Sequence, residues 1–180
     1  MNYFELYGMP VSFQADESEI KKKYFELSKK FHPDFYASQS AEKQQEMLEM
    51  STLNTRAFQN LSDFDRRMKY ILEQKKIIFE GERYVLSPDF LMEMMEINEE
   101  LEELKIENEE AKTKKSGLKI SDLLYRLHDE MKKILDHYND ATTTESDLNK
   151  IKDYYYKKKY LLRLKESWDN FGNSEMSPES

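Results

Sequence analysis

The chain predicts an all-α fold, and three observations carry that expectation. Turn residues are scarce: 180 residues hold four Gly and four Pro, few for a β-sandwich, a Rossmann-type sheet or a glycine-rich phosphate cradle. Apolar residues recur at the three- and four-residue spacing of a helix face in several separate segments. Lys, Glu and Leu, all good helix formers, are abundant.

The elements follow in order. Residues 1–72 read as one unit. Tyr3 to Tyr7 forms a short apolar turn or helix closed by Gly8. The cluster Asp16-Glu17-Ser18-Glu19 suits a helix N-terminus, where carboxylates meet unpaired N–H groups. Ile20, Tyr24, Leu27 and Phe31 then make one helical stripe, which Pro33 forces to end. A polar stretch from Ala37 to Lys43 leads into a second long helix through Met47, Leu48, Leu53, Ala57, Phe58 and Leu61. Ser62-Asp63 breaks the pattern before a short helix around Arg66 to Leu72.

Residues 73–87 read as a linker. Ile77 to Leu86 is β-rich around Gly81, and a small hairpin and an extended strap are both compatible with it. Ser87-Pro88-Asp89 predicts an N-cap with Pro at the first helical position. Three helices then fill 88–171: Asp89 to about Ala111, a second through Ile120, Leu123, Leu127 and Leu135, and a third through Leu148, Ile151, Tyr155, Leu161, Leu162 and Trp168. Polar turns are expected at Lys112 to Lys119 and at Asn139 to Glu145. Three helices with one apolar face each can bury those faces only against each other, so a bundle follows. Residues 172–180 lack periodicity and read as a disordered tail.

Composition removes several functions. With no Cys there are no disulfides, thiolate zinc sites or Cys nucleophiles. No apolar run has the length of a membrane span, and no basic-then-apolar start suggests a secretory signal, so no membrane partner is expected and the cytoplasm is the simplest location. Charged residues are 36% of the chain, mean hydropathy is −0.90, and the net charge of −8 argues against nucleic-acid binding. No P-loop, Gly-rich fingerprint or triad spacing appears, so no enzyme and no cofactor is expected. His128-Asp129 resembles the paired ligands of HD-type phosphohydrolases, but one pair on a helix is a weak signal.

One tripeptide stands out. His32-Pro33-Asp34 lies at the tip of the first helical hairpin. Taken alone it is a helix stop and a turn. Its context is Lys21-Lys22-Lys23-Tyr24-Phe25-Glu26-Leu27-Ser28-Lys29-Lys30-Phe31 before it, and Leu53-Asn54-Thr55-Arg56-Ala57-Phe58-Gln59-Asn60-Leu61-Ser62-Asp63, Arg66 and Tyr70 after it. Together these resemble the J-domain, the module by which J-proteins engage Hsp70 chaperones. The opening Tyr3 to Gly8, the run His32-Pro33-Asp34-Phe35-Tyr36-Ala37-Ser38, and Phe90-Leu91-Met92-Glu93 with Glu99-Glu100-Leu101 resemble the HscB family of J-type co-chaperones in iron–sulfur cluster biogenesis. The resemblance spans about residues 1–170 and implies an N-terminal J-domain plus a C-terminal three-helix bundle. It implies two partners: an Hsp70 of the HscA or DnaK type, whose ATPase is stimulated, and an IscU-like cluster scaffold.

The chemistry of the tripeptide suits contact. Pro33 restricts the loop, so His32 and Asp34 project at little entropic cost. Asp34 can accept a bidentate bond from an Arg, and His32 offers a donor and an acceptor. On the preceding helix, geometry sets Lys22 and Lys29 opposite the apolar stripe, with Phe25 beside them and Lys21 and Lys30 at the flanks. A charge run is usually a solvated face, but this basic strip in an acidic chain favours docking of an acidic partner. By the resemblance, that partner is the Hsp70. Phe25, Glu26 and Phe35 stand where many J-domains carry basic residues, which points to an Hsp70 with a matching apolar spot.

The helix from Asp89 carries two stripes. Phe90, Met94, Ile97, Leu101 and Leu104 form a core face. Met92, Met95 and Ile106 fall opposite, with Leu91 at the flank and Glu96, Glu99 and Glu103 among them. Such a second stripe is either further packing or a partner surface. Carried over from the HscB family, Leu91, Met92, Met95, Glu96, Glu99 and Glu103 are the candidate scaffold contacts. Tyr156 and Tyr160 are expected to face away from the last helix's core stripe, with Tyr160 joining that surface as an aromatic anchor.

Overall fold

The computed structural model describes residues 1–107 and 110–174, and the side chains within them except 101, 104–107, 110–117 and 170–174. The fold is all-α: among the described residues stand α1 (Tyr3–Tyr7), α2 (Glu17–Lys30), a 3-10 turn (Pro33–Tyr36), α3 (Ala41–Leu61), α4 (Phe64–Gln74), α5 (Pro88–Glu107), α6 (Glu110–Asp136) and α7 (Glu145–Ser174), with no strand. The side chains of the expected stripe members Leu101, Leu104 and Ile106, and residues 175–180 of the expected tail, lie outside what the structure describes. The chain forms two compact units. One joins Met1–Phe79 to Leu135–Glu145; the other joins Glu80–Ile134 to the residues from Ser146 onward.

In the first unit, caps set the helices. Asn2 Oδ1 accepts from Glu5 N–H at 2.8 Å, Glu5 Oε2 accepts from Asn2 N–H at 2.8 Å, and Gly8 ends α1 at φ 63°, where a side chain would be strained. Asp16 Oδ1 starts α2 by accepting from Ser18 N–H at 2.8 Å. α2 and α3 run antiparallel: Tyr24 stacks on Phe58 at 4.4 Å, while Asn54, four residues earlier, donates to the Ser28 hydroxyl at 3.0 Å. Phe4, Tyr7, Phe13, Ile20, Leu61 and Met68 are fully buried. Arg67 is buried too; it donates to the carbonyls of Phe13 at 3.0 Å and of Leu61, and burial pushes its guanidinium below the ordinary value. Leu48, placed on the α3 stripe from the sequence, is exposed, because Met47, Asn54, Ala57 and Leu61 carry the buried face. The turn Leu135–Glu145 joins this unit: Tyr138 packs edge-on to Phe13 at 4.8 Å, Gln14 donates to Asp136 at 3.0 Å, and Lys75 pairs with Asp140 at 2.7 Å.

In the second unit, residues 82–87 are extended, so the β-rich segment is a strap and not a hairpin. Tyr84 stacks on Tyr156 at 4.4 Å and donates to Asp153 at 2.7 Å, and Glu82 pairs with Lys152. Tyr156 therefore meets the strap instead of facing outward. Ser87 caps α5 by accepting from Phe90 N–H at 3.4 Å, with Pro88 first in the helix as its type predicts. The ion pairs Glu93–Arg126 at 3.7 Å and Glu100–Lys119 set α5 and α6 antiparallel. The core gathers Phe90, Met94, Ile120, Leu123, Leu161 and Trp168. The turn expected at Lys112 to Lys119 is helical, since α6 begins at Glu110. A lone Gly117 costs about 1 kcal/mol against Ala, which a helix of 27 residues absorbs. Leu162, expected in the core, is exposed where Leu161 is buried. No helix among the described residues is long and apolar enough to cross a membrane.

Candidate functional site

The His32-Pro33-Asp34 loop is built by the end of α2. Phe31 is buried and closes α2 by donating its N–H to Leu27 O at 2.9 Å. His32 is then extended at φ −64°, ψ 124°, the backbone region that a following Pro favours. Pro33 opens the 3-10 turn at its first position, and Phe35 N–H donates to His32 O at 3.1 Å.

The two polar side chains project. His32 is 53% and Asp34 86% exposed. Asp34 N–H donates to His32 Nδ1 at 3.3 Å, which leaves Nε2 to carry the proton of the neutral ring. The Asp34 carboxylate lies 3.7 Å from the same Nδ1. The loop is braced from beneath: the Tyr36 hydroxyl donates to Lys30 O at 2.8 Å, and the Gln44 amide donates to Gln39 O at 3.0 Å and Ala37 O at 3.3 Å. These bonds satisfy carbonyls at the end of α2 and in the turn, which would otherwise compete for water. Periodicity gave no signal for Tyr36 or Gln44; both act through loop carbonyls that only the folded chain brings within reach.

Lys21, Lys22, Lys29 and Lys30 are all exposed on α2, and among the described residues none has a carboxylate in ion-pair reach. Phe25, on the face of Lys22 and Lys29, is 53% exposed. Phe35 is 70% exposed, its ring 5.7 Å from that of His32. The loop thus carries a donor, an acceptor and an aromatic ring beside a basic face. That set can bind a protein surface.

The second candidate surface lies on α5. Phe90 and Met94 are buried, while Met92 is 63% and Met95 61% exposed on the opposite side. Glu96, Glu99 and Glu103 are exposed on the same side, and Leu91 is at the border of exposure. Tyr160 differs from its companions. It is half-buried, packed against the bundle core with its ring edge-on to Phe90 at 5.9 Å. It belongs as much to that core as to any outer surface. His128 Nδ1, of the pair resembling a phosphohydrolase motif, lies 2.9 Å from the Tyr154 hydroxyl. Among the described residues no three His, Asp or Glu gather as a metal site would need.

A helical hairpin whose tip presents His-Pro-Asp defines a J-domain protein, and residues 2–70 match the DnaJ domain family model. The remainder narrows the class. Residues 86–169 match the model described as the HSCB C-terminal oligomerisation domain. The chain belongs to the HscB family. Its relatives include a co-chaperone protein HscB homolog of Vibrio cholerae, 40% identical over 103 residues, or 57% of this chain and 60% of the relative. Another from Photobacterium profundum is 34% identical over 58% of this chain and 61% of the relative. These matches span about three fifths of the curated relatives' length. Among solved structures, chaperone HscB from Vibrio cholerae is similar at TM-score 0.74 and 28% identity, over 98% of this chain and 100% of that one. The human co-chaperone protein HscB is similar at TM-score 0.75 and 26% identity, over 94% and 81%.

Proposed function

We propose that this protein is a J-type co-chaperone that stimulates ATP hydrolysis by an Hsp70 and delivers to it an iron–sulfur cluster scaffold, aiding cluster assembly or transfer. His32, Pro33 and Asp34 engage the Hsp70, with Lys21, Lys22, Lys29 and Lys30 steering the encounter with an acidic surface. The outer face of α5, with Leu91, Met92, Met95, Glu96, Glu99, Glu103 and the flanking Tyr160, holds the scaffold. Residues 1–72 act as the J-domain and 88–171 as the cargo-holding bundle, joined through 73–87.

The observation that carries this reading is the pre-shaped, exposed tip: His32 and Asp34 are ordered by the turn itself and pay little to be recognised. Support for the cargo face comes from its chemistry. Met adapts its shape to a partner, and the carboxylates fix register. The relatives described above are co-chaperone protein HscB homologs, which agrees with the class.

The test uses the full chain with a purified HscA-type Hsp70 and a purified IscU-like scaffold. Wild type raises the Hsp70 ATPase, and His32→Gln does not, with helicity by circular dichroism unchanged. Equal stimulation by both proteins removes the central claim. Calorimetric titration of the scaffold separates this client from any other.

A further inference from the structure

Two well-exposed aromatic rings sit at the same candidate site. Phe35 follows the tripeptide directly and rests against the His32 ring. Phe25 stands between Lys22 and Lys29 on the exposed face of α2, its own ring 5.4 Å from Tyr24. Neither ring closes the core of its unit, which is filled by Phe4, Phe13, Ile20 and Leu61. The loop needs neither for its shape, since Tyr36, Gln44 and the Asp34 N–H hold it. An exposed Phe gains nothing from water, and its apolar area is released only when something covers it.

Resting on the reading above, we propose that Phe25 and Phe35 select the Hsp70 partner: they anchor the complex in apolar pockets rimmed by carboxylates on one Hsp70, and so discriminate against an Hsp70 whose docking surface is acidic but lacks those pockets. Charge complementarity points to that occupant. The rings are interleaved with Lys22, Lys29 and Lys30, so whatever covers them must also tolerate three ammonium groups. The division of labour follows from physics. Exposed charges act over a Debye length and govern how fast partners meet. Rings act only in contact and govern how long they stay together.

The experiment measures association and dissociation of the full-length protein on immobilised HscA-type and DnaK-type Hsp70s, at several salt concentrations, for wild type, Phe25→Ala, Phe35→Ala and Phe35→Leu. Wild type binds one Hsp70 more tightly. Each Ala variant weakens that complex on the order of tenfold through faster dissociation, with the association rate and its salt slope unchanged. Phe35→Leu keeps most of the lifetime. The weaker complex is indifferent to all three changes, so the preference between the two Hsp70s shrinks. Both rings are exposed, so melting temperatures stay at the wild-type value and confirm intact folding.

Loss of affinity for both Hsp70s by the same factor, or no change for either, overturns the selection by these rings. A parallel ATPase assay keeps that failure apart from failure of the proposed function. If wild type stimulates an Hsp70 and His32→Gln does not, a null result at Phe25 and Phe35 defeats this inference alone. If wild type stimulates neither Hsp70, both fall together.

Discussion

The tip of the α2–α3 hairpin and the outer face of α5 expose their side chains in opposite ways. At the tip, a few atoms are placed by a Pro, a 3-10 turn and bonds from Tyr36 and Gln44. On α5 no bond orients Met92 or Met95; a regular helix holds two flexible side chains and a row of carboxylates toward solvent. A placed imidazole and carboxylate suit recognition of one polar geometry, where a lost contact leaves a partner group unsatisfied. A Met-rich face suits a broad contact whose energy is spread over area. The first should be brittle to single substitutions and the second tolerant of them.

Four predictions test that contrast, from the largest effect downward. His32→Gln lowers ATPase stimulation by about thirtyfold or more, the size of an interface hot spot of about 2 kcal/mol, and chemical denaturation shows no loss of stability. A drop below threefold would make the tip as tolerant as the helix face. Next, Met94→Ala, which empties a fully buried position, destabilises the protein by about 2–5 kcal/mol in urea titration. Its exposed neighbours behave otherwise. Met92→Ala with Met95→Ala weakens scaffold binding by about tenfold in calorimetry while stability moves by about 0.5 kcal/mol or less per site. A loss of several kcal/mol would mean that this stripe is packing and would remove the cargo face.

The smallest effect lies at alkaline pH. Burial, then the hydrogen bond to Asp153, pushes the Tyr84 hydroxyl from 10.0 up to about 12. Its folded value is above its unfolded value, so its contribution is fully present below pH 10 and is lost as pH rises from there toward 12. Tyr84→Phe cannot ionise. Its unfolding free energy should fall less steeply than wild type's across that interval, although the variant starts about 1 kcal/mol lower for want of the Asp153 bond. Parallel slopes would show that Tyr84 is not held neutral. Tyr7 and Tyr138, raised by burial in the other unit, act in the same direction and keep part of the slope in the variant.

How much was legible in the sequence differs between the two surfaces. The tip was readable because its elements are local: Phe31, Pro33 and Asp34 set a helix end and a turn within four residues. On α5 the stripe Phe90 and Met94 against Met92 and Met95 was readable from the helical period alone. Positions decided by a neighbour one residue away were harder. Leu161 and Leu162 are both apolar, and only the packing around Trp168 buries the first and leaves the second exposed. Tyr160 and Tyr156 share a helix edge in sequence, yet one meets Phe90 and the other Tyr84.

The sequence by itself determined the helical class, most helix starts and the exposed tripeptide, because caps, proline and the 3.6-residue period act over a few residues. The tertiary structure alone decided that the strap at residues 82–87 lies on α7 through Tyr84, that α6 begins before Lys112, and that the turn Leu135–Glu145 packs with the first unit through Tyr138 and Asp140. The strap and the turn join residues 65 or more positions apart, and no local rule of spacing or propensity carries information over such a distance.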